Sequence, residues 1–146
     1  MAQSTRFAVA VHSAGMIAFG DRMVVTSETI ARSLGTNPVV VRRVCGLLVK
    51  AGLVEVKKGP NGGALLARPP EKISLGEIYR AVEHEAILPV PVASNQDACG
   101  IGRLVSPVLK IFFGEAEHCL MKKLDRTRLS EVIAAVLEKK NECKDR

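Results

Sequence analysis

The sequence predicts a mainly α-helical fold with one small β-hairpin, and three observations carry that reading. Apolar residues recur at helical spacing over most of the chain. Two short helical patterns, each with its own start signal, follow one another across a tight turn at Gly35. The segment Lys57 to Gly63, "KKGPNGG", splits two apolar runs, "GLVEV" and "ALLARPP". At 146 residues, 47% of them apolar and 25% charged, the chain suits one domain with an appended element.

From Ser4 to Phe19, the residues Phe7, Ala10, Val11, Ala14, Ile17 and Ala18 lie on one face of a helix. After the apolar step Met23-Val24-Val25 comes "TSETIARSLG", with Thr26 or Ser27 as N-cap. Glu28 suits the positive end of that helix, and Gly35 closes it in a left-handed conformation. Asn37 as N-cap and Pro38 in the first turn start the next helix. On it Val41, Val44 and Leu48, with Cys45 beside them, form an inner face. Val39, Arg43, Gly46 and Lys50 form the opposite face, with Arg42 next to it. Two short helices with arginines turned outward on the second make a helix-turn-helix candidate. A hairpin directly after it is a wing.

Beyond the wing, Ser74 and Glu77 form a capping box, with Ile73 and Ile78 as its hydrophobic staple, so a helix runs from about Leu75 to about Glu83. "AILPVPVASNQDACGIG" reads as a linker. A longer helical stripe follows in Leu104, Val108, Ile111, Phe112, Cys119, Leu120 and Leu124, which would span roughly 31 Å. Ser106 and Pro107 offer a later start for it. A last helix is expected near Leu129 to Lys139, ahead of a solvated tail, "KKNECKDR".

Composition removes several functions. Aromatics make up 3% of the chain, with no Trp and Tyr79 the single Tyr, too few for a base-stacking platform. A net charge of +6 and a pI near 9.4 favour an anionic partner. No apolar run is long enough to span a bilayer, and Ala8 to Phe19, interrupted by His12 and Ser13, is not a signal peptide. The expected compartment is the cytoplasm. Cysteines at 45, 99, 119 and 143 have neither disulfide-framework nor metal-site spacing. His118 beside Cys119 is weak evidence for zinc, and no cofactor is expected. No nucleophile motif, H-E-x-x-H, G-x-S-x-G or phosphate-binding glycine fingerprint occurs, so the chain does not read as an enzyme. Glu83, His84 and Glu85 read as a solvated helix end.

The wing and the second helix carry the functional reading. Gly59, Gly62 and Gly63 allow close approach of the main chain, and Lys57 and Lys58 supply charge beside it. Arg42, Arg43 and Lys50 suit guanine edges or phosphates in a major groove. Their succession on neighbouring elements favours double-stranded DNA over an ordinary charged surface. Two alternatives stay open: a thiol-based redox regulator switched at Cys99 or Cys45, and a protein-interaction module that uses the winged helix as a scaffold. The acidic neighbour Asp97 would raise the Cys99 pKa.

The ordered residues from Thr26 to Glu83, above all "NPVVVRR" and "KAGLVEVKKGPNGGALLARPP", resemble the Rrf-two family of bacterial winged-helix transcription regulators, and within it the YwnA-like branch. The resemblance spans almost the whole chain. It implies a homodimeric regulator, most simply a repressor, paired through the long helix near Leu104–Leu124 on a partly palindromic operator. Residues 1–85 would then be the DNA-binding domain, 86–102 a linker loop, and 103–146 dimerisation helices and tail. Thr26, Thr36 and Asn37 would cap helix starts beside phosphates. Pro38, Val39, Arg42, Arg43 and Lys50 would belong to the major-groove helix. Lys57, Lys58, Gly59, Pro60, Asn61, Gly62 and Gly63 would form the minor-groove wing. Cluster-binding relatives carry three cysteines close together in the linker, where this chain has Cys99 alone.

Overall fold

The computed structural model of the chain describes residues 5–20, 23–90 and 100–144. In chain order the elements are α1 (Arg6–Phe19), α2 (Ser27–Leu34), α3 (Pro38–Lys50), β1 (Val54–Lys57), β2 (Gly63–Leu66), a 3₁₀ turn (Pro70–Lys72), α4 (Leu75–Val82), α5 (Gly100–Arg126) and α6 (Leu129–Lys144). The predicted class, mainly helical with one hairpin, is the observed one.

Local chemistry sets the helix starts. The Thr26 hydroxyl accepts the Thr29 amide at 3.2 Å, and the Asn37 side chain accepts the Val39 amide at 2.8 Å. Thr36 caps neither helix. Its amide donates to the Ala31 carbonyl at 3.0 Å while Gly35, at φ 64°, turns the chain, so Thr36 closes the end of α2. The expected capping role of Thr36 is therefore corrected: Asn37, one residue on, holds that position. Both halves of the capping box on α4 are present. Ser74 Oγ accepts the Glu77 amide at 3.1 Å, and the Ser74 amide donates to the Glu77 carboxylate at 2.9 Å. Burial pushes the Glu77 pKa up, but the Ser74 amide and the Arg68 guanidinium outweigh it and hold the carboxyl below its ordinary range.

The core lies between α1, α2, α3 and α4, closed on one side by the hairpin and on another by the start of α6. Ile30, Val41, Leu48, Ile78, Val82 and Leu129 have no solvent exposure. Each such side chain contributes about 1.5–3 kcal/mol by leaving water. Phe7 and Tyr79 pack edge to face with ring centres 5.2 Å apart, joining α1 to α4. β1 and β2 pair antiparallel with Val54 opposite Leu66 and Lys57 opposite Gly63. The apolar step before α2 joins this sheet: Val25 and Ala64 exchange amide–carbonyl bonds at 3.1 and 2.9 Å. That pairing anchors the turn-proximal end of β2 to the segment that leads into the helix pair.

The last two helices differ from expectation at their ends. α5 begins at Gly100, not near Leu104, and runs through Pro107. Proline has no amide hydrogen, so the helix is one rung short there, a loss that a 27-residue helix tolerates. α6 continues to Lys144, so the expected tail is largely helical. α5 spans about 40 Å at 1.5 Å per residue. Its C-terminal end is fastened to the body: Arg80 grips both Asp125 carboxylate oxygens, at 2.6 and 3.2 Å, and Gly76 leaves no room for a side chain against Asp125. Its first half stands away from the core. Ile101, Leu104, Val105, Val108, Ile111 and Phe112 are each 47–75% exposed. Cys119, expected to pack in that stripe, is exposed as well, because none of the described residues covers this face of the helix.

Candidate nucleic-acid interface

The inner and outer faces of α3 separate as the sequence pattern requires. Val41, Val44, Cys45 and Leu48 are buried, whereas Val39, Val40, Arg42, Arg43, Gly46, Val49 and Lys50 are exposed. Pro38 in the first turn has no amide hydrogen to satisfy, so the helix start costs little there. The Asn37 side chain and carbonyl take the Val39 and Val40 amides of that turn, so what the helix end offers an anion beside exposed Val39 is its partial positive charge. Val40, absent from the sequence-based site, is as much a part of this outer surface as Val39.

Arg42 and Arg43 occupy different environments. The Arg42 Nη2 atom lies 2.9 Å from a Glu28 carboxylate oxygen, and its Nε donates to Ser27 Oγ at 3.2 Å. Ser27 in turn donates to the second Glu28 oxygen at 3.3 Å. The bond from Arg42 is the main reason that Glu28 ionises below the ordinary carboxylate range. Arg43, Lys50, Lys57 and Lys58 have no ion-pair partner among the described residues. They are therefore available as cations.

The wing is a turn of residues 58–62 between the paired strands, with Lys57 as the last residue of β1. Gly59 has φ 111°, a conformation that residues with a Cβ rarely adopt. Gly62 donates its amide to the Gly59 carbonyl at 2.9 Å, and a Cβ on it would strike the Lys57 carbonyl. The two glycines thus serve different needs, one a backbone angle and the other a close approach. Pro60 and Asn61, at the tip, are exposed.

Comparison with known proteins places the chain. A model of the Rrf2 family, described as iron-dependent transcriptional regulator, matches residues 3–135. The chain belongs to the Rrf2 family of transcriptional regulators. It is 34% identical over 130 residues to YwnA of Bacillus subtilis, a protein assigned to the helix-turn-helix-type transcriptional regulators, covering 89% of this chain and 96% of YwnA. Two solved structures share its fold. One is IscR of T. potens, with a TM-score of 0.70, 23% identity, and 93% and 88% of the two chains covered. The other is CymR, the global cysteine regulator of B. subtilis, with a TM-score of 0.68, 20% identity, and 92% and 98% covered. Among the described residues no helix is long and apolar enough to cross a membrane.

The family description speaks of iron, and among the described residues the donors do not fit it. Among the described residues no three His, Cys, Asp or Glu side chains gather to hold a metal. The described cysteines are one in the core, Cys45, and two on separate helices, Cys119 and Cys143. Cys99 lies outside the described residues. Cys45 is 8% exposed, and burial pushes its thiol pKa up, which keeps it in the unreactive protonated form.

One participant in this surface is missing from the sequence-based site. The sequence pattern gives Glu28 only a helix-dipole role, yet it is the partner of Arg42. Opposite charges 14 positions apart leave no periodic signal, and their meeting depends on how α2 packs on α3.

Proposed function

We propose that this chain is a homodimeric transcriptional repressor that acts in the cytoplasm, has no catalytic role, and blocks promoters by binding a partly palindromic operator. In this reading α3 enters the major groove, the wing follows the minor groove, and α5 pairs with the same helix of a second copy. The observation that carries it is the outer face of α3, where Arg42, Arg43 and Lys50 stand in solvent directly opposite the buried valine and leucine face. Thr26 supports it by fixing the start of α2, which carries Ser27 and Glu28 beside Arg42, and Asn37 by fixing the start of α3, whose partial positive charge suits a phosphate. Thr36 is placed here as a neighbour of that helix start.

Arg43 tests the base-reading half of the proposal. Arg43→Ala is expected to weaken specific binding by about 1–3 kcal/mol while changing non-specific binding much less. Equal loss on operator and scrambled duplex would make Arg43 a phosphate contact. The wing tests the other half. Replacing Lys57 and Lys58 together by alanine should flatten the slope of log affinity against log salt by about 1.8, at roughly 0.9 for each phosphate no longer neutralised. An unchanged slope would remove the wing from the interface.

A further inference from the structure

We propose that Glu28 is a positioning residue for base readout: by holding one edge of the Arg42 guanidinium, it turns that side chain from a phosphate contact into a reader of base edges. The inference rests on the DNA-binding reading above and concerns how that surface tells sequences apart.

Three distances define the arrangement. Glu28 Oε1 is 2.9 Å from Arg42 Nη2, Ser27 Oγ is 3.2 Å from Arg42 Nε, and Ser27 Oγ reaches Glu28 Oε2 at 3.3 Å. Ser27 and Glu28 therefore occupy the Nε–Nη2 edge of the guanidinium together. A guanidinium has five N–H donors in a planar fork. Two are used here, and among the described residues Nη1 and the second hydrogen of Nη2 have no partner. The free Nη1–Nη2 edge still presents two parallel donors, as a guanine N7/O6 pair requires.

Both held side chains are more than half exposed, at 58% and 57%, so the contact adds little stability to the fold. Its consequence is orientation and charge. An unheld arginine on an exposed helix samples many rotamers, and the phosphates, as the dense anions of the duplex, capture it first. Pairing with Glu28 fixes the plane of the fork and cancels its net charge, so a phosphate gains little by approaching. Glu28 itself repels any phosphate that comes near the start of α2. A base edge, which carries acceptors without a full charge, suffers no such penalty. The same pair therefore favours base contact and disfavours phosphate contact, which is a device for specificity and not for affinity.

The test uses the full-length protein, a duplex enriched by wild-type protein from a randomised pool, and a scrambled duplex. For Glu28→Gln the ratio of affinities for the two duplexes should fall about tenfold, within the range that one bidentate base contact supports. Non-specific binding should tighten, and its salt slope should steepen by about 0.9, one added phosphate contact. Glu28→Asp should recover part of the ratio. In an Arg42→Ala background, Glu28→Gln should leave the ratio unchanged, because the effect passes through Arg42. An unchanged ratio in Glu28→Gln, with wild-type preference intact, would overturn the inference and leave the regulator reading standing. Failure of the wild-type protein to enrich any sequence would overturn both.

Discussion

Ile111→Asp with Phe112→Asp is expected to give a monomer whose affinity for operator DNA is lower by about 10²–10⁴-fold, the advantage that joining two half-site contacts confers. The first half of α5 holds six large apolar side chains that are 47–75% exposed, from Ile101 to Phe112, along a helix of 27 residues. A chain that keeps such a stripe in water forgoes about 25 cal/mol for each Å² that a partner would cover. A second copy covers it most simply, because a two-fold pair buries the same patch on both subunits. Two aspartates in the middle of the stripe would place two like charges from each subunit at a dry contact. Neither residue belongs to the buried core, so folding should survive. Sedimentation equilibrium beside operator titration checks this. A variant that remains dimeric, or a wild-type chain that is monomeric at micromolar concentration, would contradict the role given to α5.

Leu129→Ala should cost about 2–5 kcal/mol, the range for emptying a fully buried leucine site. That corresponds to a fall in the melting midpoint of roughly 4–20 °C for a chain of this size. Leu129 has no solvent exposure and sits where α6 turns back from α5 onto the body. Its amide donates to the Ile73 carbonyl at 2.9 Å, and the Leu75 amide donates to Thr127 at 2.9 Å. The side chain and these two bonds together fasten the α5–α6 junction to the start of α4. The loss should therefore appear in whole-chain melting, compared at one protein concentration because association stabilises the folded form. A midpoint shifted by less than about 2 °C would mean that the α5–α6 junction folds independently of the helical body.

Much of this architecture is legible in the sequence because its determinants are local. Asn37-Pro38, Ser74 with Glu77, and Gly35 each state a helix end within four residues, and all three hold in the structure. The inner face of α3 is legible for the same reason, since a 3.6-residue period needs no tertiary information. The misreadings cluster where distant segments decide. Thr36 resembles a cap because threonine often is one, but the turn at Gly35 commits its amide to Ala31. Gly100 and Gly102 resemble linker, yet both fall in the first turn of α5, where helix bonds are incomplete in any case and a weak helix former costs little. Cys119 fits an apolar stripe, but the stripe faces away from the chain's own core. The Val25–Ala64 pairing and the Glu28–Arg42 contact join residues far apart in sequence, and only packing brings them together.

Everything proposed for α3 and the wing requires that this chain bind DNA by sequence. Fluorescence anisotropy on the duplex upstream of its own coding sequence, against a scrambled duplex of the same composition across a salt series, tests it most directly. Binding at least about 10³-fold tighter to the native duplex is expected at physiological salt, with affinity falling steeply as salt rises. Equal, weak binding to both duplexes at every salt concentration would contradict it.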